Sequence, residues 1–285
     1  MIWLHLQEPF RELLQQNGLQ NLSDFMTFSG GRVLKSLPAR TILKLELPWR
    51  EGTKTFFLKR HRGRIRPGEI IRAFFSGFSR SWGRKEWEAI QAFREHGIPT
   101  LSAVAAGEKV SGWMQESFLM TEELEGFQNL ELFLKKEFHP PLSREQIREK
   151  RLLIQAVARI ARTMHDAGFN HRDFYCCHLF IRVSAIEGRE LRVLDLQRVD
   201  RRRWFRSRWI MKDLAALNYS APFSVITKTD RLRFLCSYLE GSVEPVRLRS
   251  LIRQVAHKTE RIGKHDRKLQ QRKAAANAEM GRLSA

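Results

Sequence analysis

Residues 170–180 read NHRDFYCCHLF, which places Asp173 two residues after His171 and five before His178. Residues 193–197 read VLDLQ and set a lone carboxylate, Asp195, inside an apolar run. A carboxylate among apolar residues costs free energy unless it is paired or coordinates a metal. Two of them about twenty residues apart suggest a division of labour, one handling a proton and the other holding Mg²⁺. Kinase phosphoryl transfer has this arrangement: an H-R-D-x-x-x-x-N loop supplies the base and a D-F-G loop the metal ligand. Asp173 is accordingly the expected catalytic base, orienting an acceptor hydroxyl toward the γ-phosphate of ATP. Asp195 is the expected metal ligand, because Mg²⁺ takes one or two carboxylates together with phosphates and water. Each aspartate has a plainer alternative: a turn or helix N-cap at 173, and a turn-capping strand end at 195.

His178 stands where kinases place a metal-binding Asn, and is carried as a second metal ligand. Imidazole suits a hard cation poorly, so a hydrogen bond to Asp173 or to a phosphate is the other reading. His171 is expected to order the loop backbone, and Arg172 to pair with a carboxylate or phosphate. Asp213 opens the run KDLAAL and reads as a structural carboxylate holding the catalytic loop through backbone N–H groups.

These side chains need elements to hold them. An amphipathic helix is expected over residues 5–16, behind Pro9. Strands are expected at 31–37, at 41–47 (TILKLEL, which alternates apolar and polar residues) and at 53–59 (TKTFFLK). The last strand ends on Lys59; a basic connector with Gly63, Pro67 and Gly68 follows, then a helix around 69–78. A helix over 83–96 stops at Gly97, a natural residue just past a helix end. It carries Glu86, Ile90 and Phe93 on one face. In kinases a strand lysine contacts the ATP phosphates and is held by a helix glutamate. Lys59 and Glu86 fit those roles in the expected order, although a surface lysine and a solvated glutamate is the plainer account. Further strands fall within 107–121. TEELEG, residues 121–126, reads as a hinge, with Glu122 at the nucleotide. A helix over 152–165 leads into the catalytic stretch, and the last sixteen residues read as frayed.

The fold class is therefore α+β, a two-lobed protein-kinase-like architecture. Residues 1–120 form a small antiparallel N-lobe with one key helix, residues 121–126 the hinge, residues 127–260 a larger, mainly helical C-lobe, and residues 261–285 a basic tail. There is no G-x-G-x-x-G; the turn SLPAR (36–40) is expected to cover the nucleotide with a different backbone. Leu196 and Gln197 replace the Phe-Gly of D-F-G, and no A-P-E run is present.

A chain of 285 residues with 42% hydrophobic and 29% charged residues can bury a full core. It has no apolar run approaching the roughly 18–20 residues of a membrane span and no secretion-signal pattern at its start. Cys176, Cys177 and Cys236 make neither a disulfide framework nor a zinc spacing, so a cytoplasmic location is expected. The net charge of +20 is extreme and uneven: residues 201–212 (RRRWFRSRWIMK) hold six Lys or Arg and no acid. Such fields attract phosphate-rich partners, whether nucleotide, nucleic acid or an anionic lipid surface. The basic tail alone is equally an ordinary solvated helix. Trp204 and Trp209, set among arginines, suit stacking on a sugar, a place against lipid headgroups, or plain core packing.

Taken together, NHRDFYCCHLF, FFLKRHRG, RKEWEAI, TEEL, VLDLQR, RWIMKDLAAL and DRLRFLCSYL resemble the lipopolysaccharide kinases of the Kdo/WaaP family. The likeness runs from residue 6 to about residue 260, in the family's order, and Cys177-His178 is a specific match. Lys59, Glu86, Asp173 and Asp195 match the family's positions. The resemblance implies ATP- and Mg²⁺-dependent phosphorylation of a heptose hydroxyl on the lipid-anchored lipopolysaccharide core. It also implies peripheral contact with the anionic cytoplasmic face of the inner membrane of a Gram-negative bacterium. Phe174 and Cys176 depart from the expected Cys and aliphatic residue, and Gln197 stands where the family often has His. The alternatives are a Kdo kinase or protein kinase of the same fold, or a nucleic-acid-binding pseudokinase. A pure binder has no need of the intact set Lys59, Glu86, Asp173 and Asp195, so no nucleic-acid partner is expected.

Overall fold

The computed structural model describes residues 2–50, 52–65, 68, 81–184, 188–201, 206–240 and 244–283. The helix expected around 69–78, Arg202, Arg203 and Trp204 lie outside the described residues. The chain divides into two compact units. The first comprises Met1–Gln128, Thr163–His171 and Phe180–Trp204; the second comprises Asn129–Arg162, Arg172–Leu179 and Phe205–Ala285.

The first unit is built on strands β1 (Ile2–Leu6), β2 (Arg32–Leu37), β3 (Arg40–Trp49), β4 (Gly52–Arg64), β5 (Ala103–Ser111) and β6 (Met114–Glu122). They form one antiparallel sheet in the order β1-β5-β6-β4-β3-β2. The alternation read in TILKLEL becomes geometry here: Leu43, Leu45 and Leu47 face the core with Phe56 and Leu58 of β4. Short helices α1 (Arg11–Gln16) and α2 (Leu22–Thr27) cover that core with Leu13, Leu14 and Phe25, and Phe25 stacks on Phe118 at 4.1 Å between ring centroids. Asn21 and Asp24 form a capping box that starts α2.

Two expectations are corrected. His5 and Leu6, expected to start a helix, end an edge strand (Ile2–Leu6) paired with β5; the helical segment is confined to Arg11–Gln16 after a single 3₁₀ turn. The basic connector is strand as well: β4 continues to Arg64, with Arg62 opposite Glu116 and 2.7 Å from its carboxylate. An ion pair across the ladder lets a strongly charged run remain strand.

Helix α3 (Trp82–Glu95) packs on the other face of the sheet. Gly83 makes its start possible, since a Cβ there would lie 2.5 Å from the Phe118 carbonyl oxygen. The Gly83 N–H donates to the Ser117 hydroxyl at 3.1 Å. Gly97, with φ of 68°, ends the helix in the left-handed conformation. After the two-residue strand β7 (Gln128–Asn129), the remaining strands are β8 (Phe169–Asn170), β9 (Leu179–Ser184), β10 (Gly188–Val193) and β11 (Asp200–Arg201), with β8 paired to β11. The end of β10 is pinned by the Val193 N–H to the Pro99 carbonyl at 2.9 Å and by the Thr100 hydroxyl to the Val193 carbonyl at 2.6 Å.

The second unit is helical. It contains α4 (Leu130–Glu137), most of α5 (Arg144–Asp166), α6 (Arg206–Ser220), α7 (Lys228–Leu239) and α8 (Pro245–Leu283). The backbone at the chain end expected to fray is helical through Leu283. Leu214, Leu235 and Val255 close a core between α6, α7 and α8. Tyr219 donates to Asp266 at 2.7 Å and Asn218 to Thr259 at 2.9 Å, fastening α6 to α8. Lys150 of α5 lies 2.9 Å from Asp230 at the start of α7.

Candidate active site

In the first unit β4 delivers Lys59 and α3 delivers Glu86, and the two meet: the ammonium donates to Glu86 Oε1 at 2.5 Å. Glu86 is fully buried. Burial alone would push its carboxyl up, but the charge and hydrogen bond of Lys59, and then the amide of Gln197, hold it below the ordinary carboxylate range. Gln197 Nε2 donates to Glu86 Oε2 at 2.9 Å, and Arg40 Nη1 donates to Gln197 Oε1 at 3.4 Å. His61, on the same face of β4 as Lys59, is buried against Trp82. Burial lowers its pKa to about 4, and neither ring nitrogen has a hydrogen-bond partner among the described residues.

Asp195 follows the pinned end of β10 and has φ of 61° and ψ of 57°. A non-glycine residue in the left-handed region is uncommon, and such residues gather at functional sites. His171, fully buried, hydrogen-bonds through Nε2 to the Leu194 carbonyl at 2.9 Å, so it orders the backbone beside Asp195. Glu122 ends β6 with its carboxylate paired to Lys54.

The second unit holds Asp173 and His178. Asp213 is fully buried and accepts from the Arg172 N–H at 2.7 Å, the role read for it in the sequence. Arg172 has φ of 69°, and its guanidinium lies over the Trp209 ring at 4.6 Å. Trp209 therefore packs against the loop arginine. The Asp173 carbonyl accepts from the Tyr175 N–H at 2.8 Å and from His178 Nδ1 at 2.8 Å. Asn129 Nδ2 donates to the Cys177 carbonyl at 2.7 Å, and the Cys176 N–H donates to Ser220 Oγ at 2.7 Å. Burial pushes the Cys176 thiol up to about 12, which makes it an inert packing residue.

The structure thus joins Lys59 to Glu86 and places Asp195 in the same unit, while Asp173 and His178 belong to the other. Three residues of the arrangement escaped sequence reasoning. Lys212 Nζ lies 3.7 Å from Asp173 Oδ1 and donates to the Arg172 carbonyl. The KD pair at 212–213 is visible in the sequence, but nothing local marks its lysine. Arg40 and the amide of Gln197 carry no local signal, because their partners lie far off in sequence.

The donor set fits Mg²⁺ bound chiefly through phosphates. Among the described residues no three His, Cys, Asp or Glu side chains gather to hold a metal ion. A single aspartate such as Asp195 is what a cation sharing its shell with phosphates and water requires of the protein.

Comparison with known proteins places the chain in a family. The model of the lipopolysaccharide kinase (Kdo/WaaP) family matches residues 30–238. The chain is 39% identical over 251 residues to the lipopolysaccharide core heptose(I) kinase WaaP of Pseudomonas aeruginosa, covering 85% of this chain and 88% of that protein. It is 34% identical over 250 residues to the protein of the same name from Escherichia coli, covering 85% of this chain and 89% of the relative. A solved structure described as WaaP in complex with acyl carrier protein aligns with a TM-score of 0.68 at 33% identity, covering 94% of this chain and 99% of that one. The α+β class expected from the sequence agrees with that neighbour.

Proposed function

The chain belongs to the lipopolysaccharide kinase (Kdo/WaaP) family, and from that premise we propose that it transfers the γ-phosphoryl group of ATP to a heptose hydroxyl of the lipopolysaccharide inner core. The observation that carries the reading is the ion pair between Lys59 and the buried Glu86. A kinase fold uses such a pair to hold an ammonium against the nucleotide phosphates. Asp173 accepts the hydrogen bond of the sugar hydroxyl and takes up its proton as the phosphorus–oxygen bond forms. The departing oxygen stays with ADP. Lys212 stands beside Asp173 and supplies positive charge where negative charge develops. Asp195 would hold Mg²⁺, which when bound neutralises the β- and γ-phosphate oxygens. His178 holds the Asp173 main chain through Nδ1, and its place as a second metal ligand remains part of the proposal. The Glu122 carboxylate pairs with Lys54, and its place at the nucleotide remains part of the proposal.

The acceptor reaches the enzyme on a lipid anchor, so the chain works as a peripheral protein at the anionic cytoplasmic face of the inner membrane. Its net charge of +20 supports this. Among the described residues no helix is long and apolar enough to cross a membrane. Association with acyl carrier protein is proposed alongside. It is supported by an apolar cavity in the second unit, lined by Leu134, Ile154, Val157, Leu217 and Leu235, whose chemistry suits a hydrocarbon chain.

The test supplies purified protein with Mg²⁺-ATP and two dephosphorylated core oligosaccharides, one ending in Kdo and one carrying heptose. Mass spectrometry should find one added phosphate on heptose only. Phosphate on Kdo, or ATP consumption with no sugar product, would reject the acceptor.

A further inference from the structure

A carboxylate that is fully buried needs donors on both oxygens. The ammonium of Lys59 serves Glu86 Oε1 at 2.5 Å and the amide of Gln197 serves Oε2 at 2.9 Å. Both Gln197 and Glu86 lie in the first unit. The amide can point only one way, since its N–H₂ must face the carboxylate and its oxygen must face the Arg40 guanidinium, 3.4 Å away. Arg40 opens β3, directly after the Leu37–Arg40 turn that joins β2 to β3. Gln197 itself sits in the 3₁₀ turn Leu196–Arg198 that begins at Asp195. One side chain therefore bonds to the key carboxylate of α3 and to the β2–β3 turn while lying two residues from the proposed metal ligand.

We propose that Gln197 is a positioning residue that fixes the Glu86 carboxylate from its second oxygen, so that Lys59 is held at the phosphates and is not drawn fully onto Glu86. Without the amide, Glu86 Oε2 is left buried with no partner on this side. The carboxylate then turns, and Lys59 becomes the only donor available to both oxygens. An ammonium shared in that way binds phosphate less well. The inference rests on Lys59 being the nucleotide lysine. The amide touches Arg40 of β3 and Glu86 of α3, and Glu86 in turn interacts with Lys59 and His61 of β4.

The experiment measures Mg²⁺-ATP affinity and steady-state kinetics for Gln197→Met, Gln197→His and Lys59→Met in the full chain, each checked for its Tm. Losing a hydrogen bond to a charged group corresponds to about tenfold or more, so Gln197→Met should raise the Kd and KM for ATP by about that factor. Its KM for the lipid acceptor should stay within about twofold, by additivity between independent sites. Gln197→His keeps an N–H donor and should recover part of the loss. In a Glu86→Gln background the same Met substitution should have little further effect, because its influence passes through Glu86. If Gln197→Met fails to fold, the Gln197→His and Glu86→Gln variants with their double mutant still decide the question. Wild-type ATP affinity in Gln197→Met, or an undiminished effect when Glu86 is already Gln, overturns the assignment. If Lys59→Met also binds ATP normally, the nucleotide-site reading itself has failed. If Lys59→Met loses ATP while Gln197→Met keeps it, only the role of Gln197 has failed.

Discussion

At the scale of single residues, the chemistry depends on where charge is held in a dry place. Glu86 is ionised although buried because Lys59 and Gln197 outweigh the penalty of burial. Lys212 brings a second ammonium, 3.7 Å from the Asp173 carboxylate and anchored on the Arg172 carbonyl. Lys212→Met is expected to lower kcat by about 10–100-fold, the range for losing an interaction with a charged group, with KM for ATP close to wild type. Lys212→Arg should restore part of the rate. A Met variant with normal kcat, measured by phosphate transfer, would show that Lys212 only braces the loop. The Lys59–Glu86 pair that the structure joins, and the proposed roles of Asp173 and Asp195, rest on chemistry that comes with spacing: a strand end, a helix face, an HRD run and an acid in an apolar strand. Lys212, Gln197 and Arg40 were not legible, since nothing local distinguishes a functional cation or amide from a solvated one. Gln197 meets Glu86 across 111 positions of sequence, and only the fold brings them into contact.

At the scale of elements, the strands and helices that hold the site were read where their apolar period was unbroken. The helix expected over 83–96 is α3, Trp82–Glu95, and the strand expected at 41–47 is the centre of β3. Local pattern failed where long-range pairing decides. Residues 2–6 are strand because β5 offers a ladder, and Arg62 and Arg64 are strand because β6 does. In the second unit a buried ion pair joins α5 to the start of α7: Lys150 lies 2.9 Å from Asp230 and also donates to the Val225 carbonyl at 3.1 Å. Burial pushes the Asp230 carboxyl up, but hydrogen bonds from Lys150 and Thr227 and the lysine charge bring it below its ordinary value of 3.8. A folded-state pKa lowered in this way gives stability that is present above about pH 3.8 and is lost as pH falls through the folded value. Asp230→Asn strands a buried ammonium and should cost about 3–5 kcal/mol at neutral pH. It should also flatten the acid limb of Tm against pH. An unchanged Tm at pH 7 would contradict the role given to this pair.

At the scale of the whole molecule, the net charge is +20, which suits the proposed acceptor, a lipid-anchored sugar in an anionic leaflet. Attraction amounts to about 1 kcal/mol per Lys or Arg near the surface and is screened over about 8 Å at physiological salt. Neutralising Arg201, Arg202, Arg203 and Arg206 together should release the protein from anionic vesicles and raise KM for the lipid acceptor, with KM for ATP unchanged. Equal vesicle binding by the variant at low salt would place the docking surface elsewhere. In the proposed reaction Asp173 is the base that readies a sugar hydroxyl for phosphorylation. The most direct test compares wild type with Asp173→Ala for phosphate transfer to the heptose-bearing core and, by calorimetry, for Mg²⁺-ATP binding. Transfer should fall about 10²–10⁴-fold, the range for losing a general base, while ATP affinity holds. Near-normal transfer by Asp173→Ala would contradict the account.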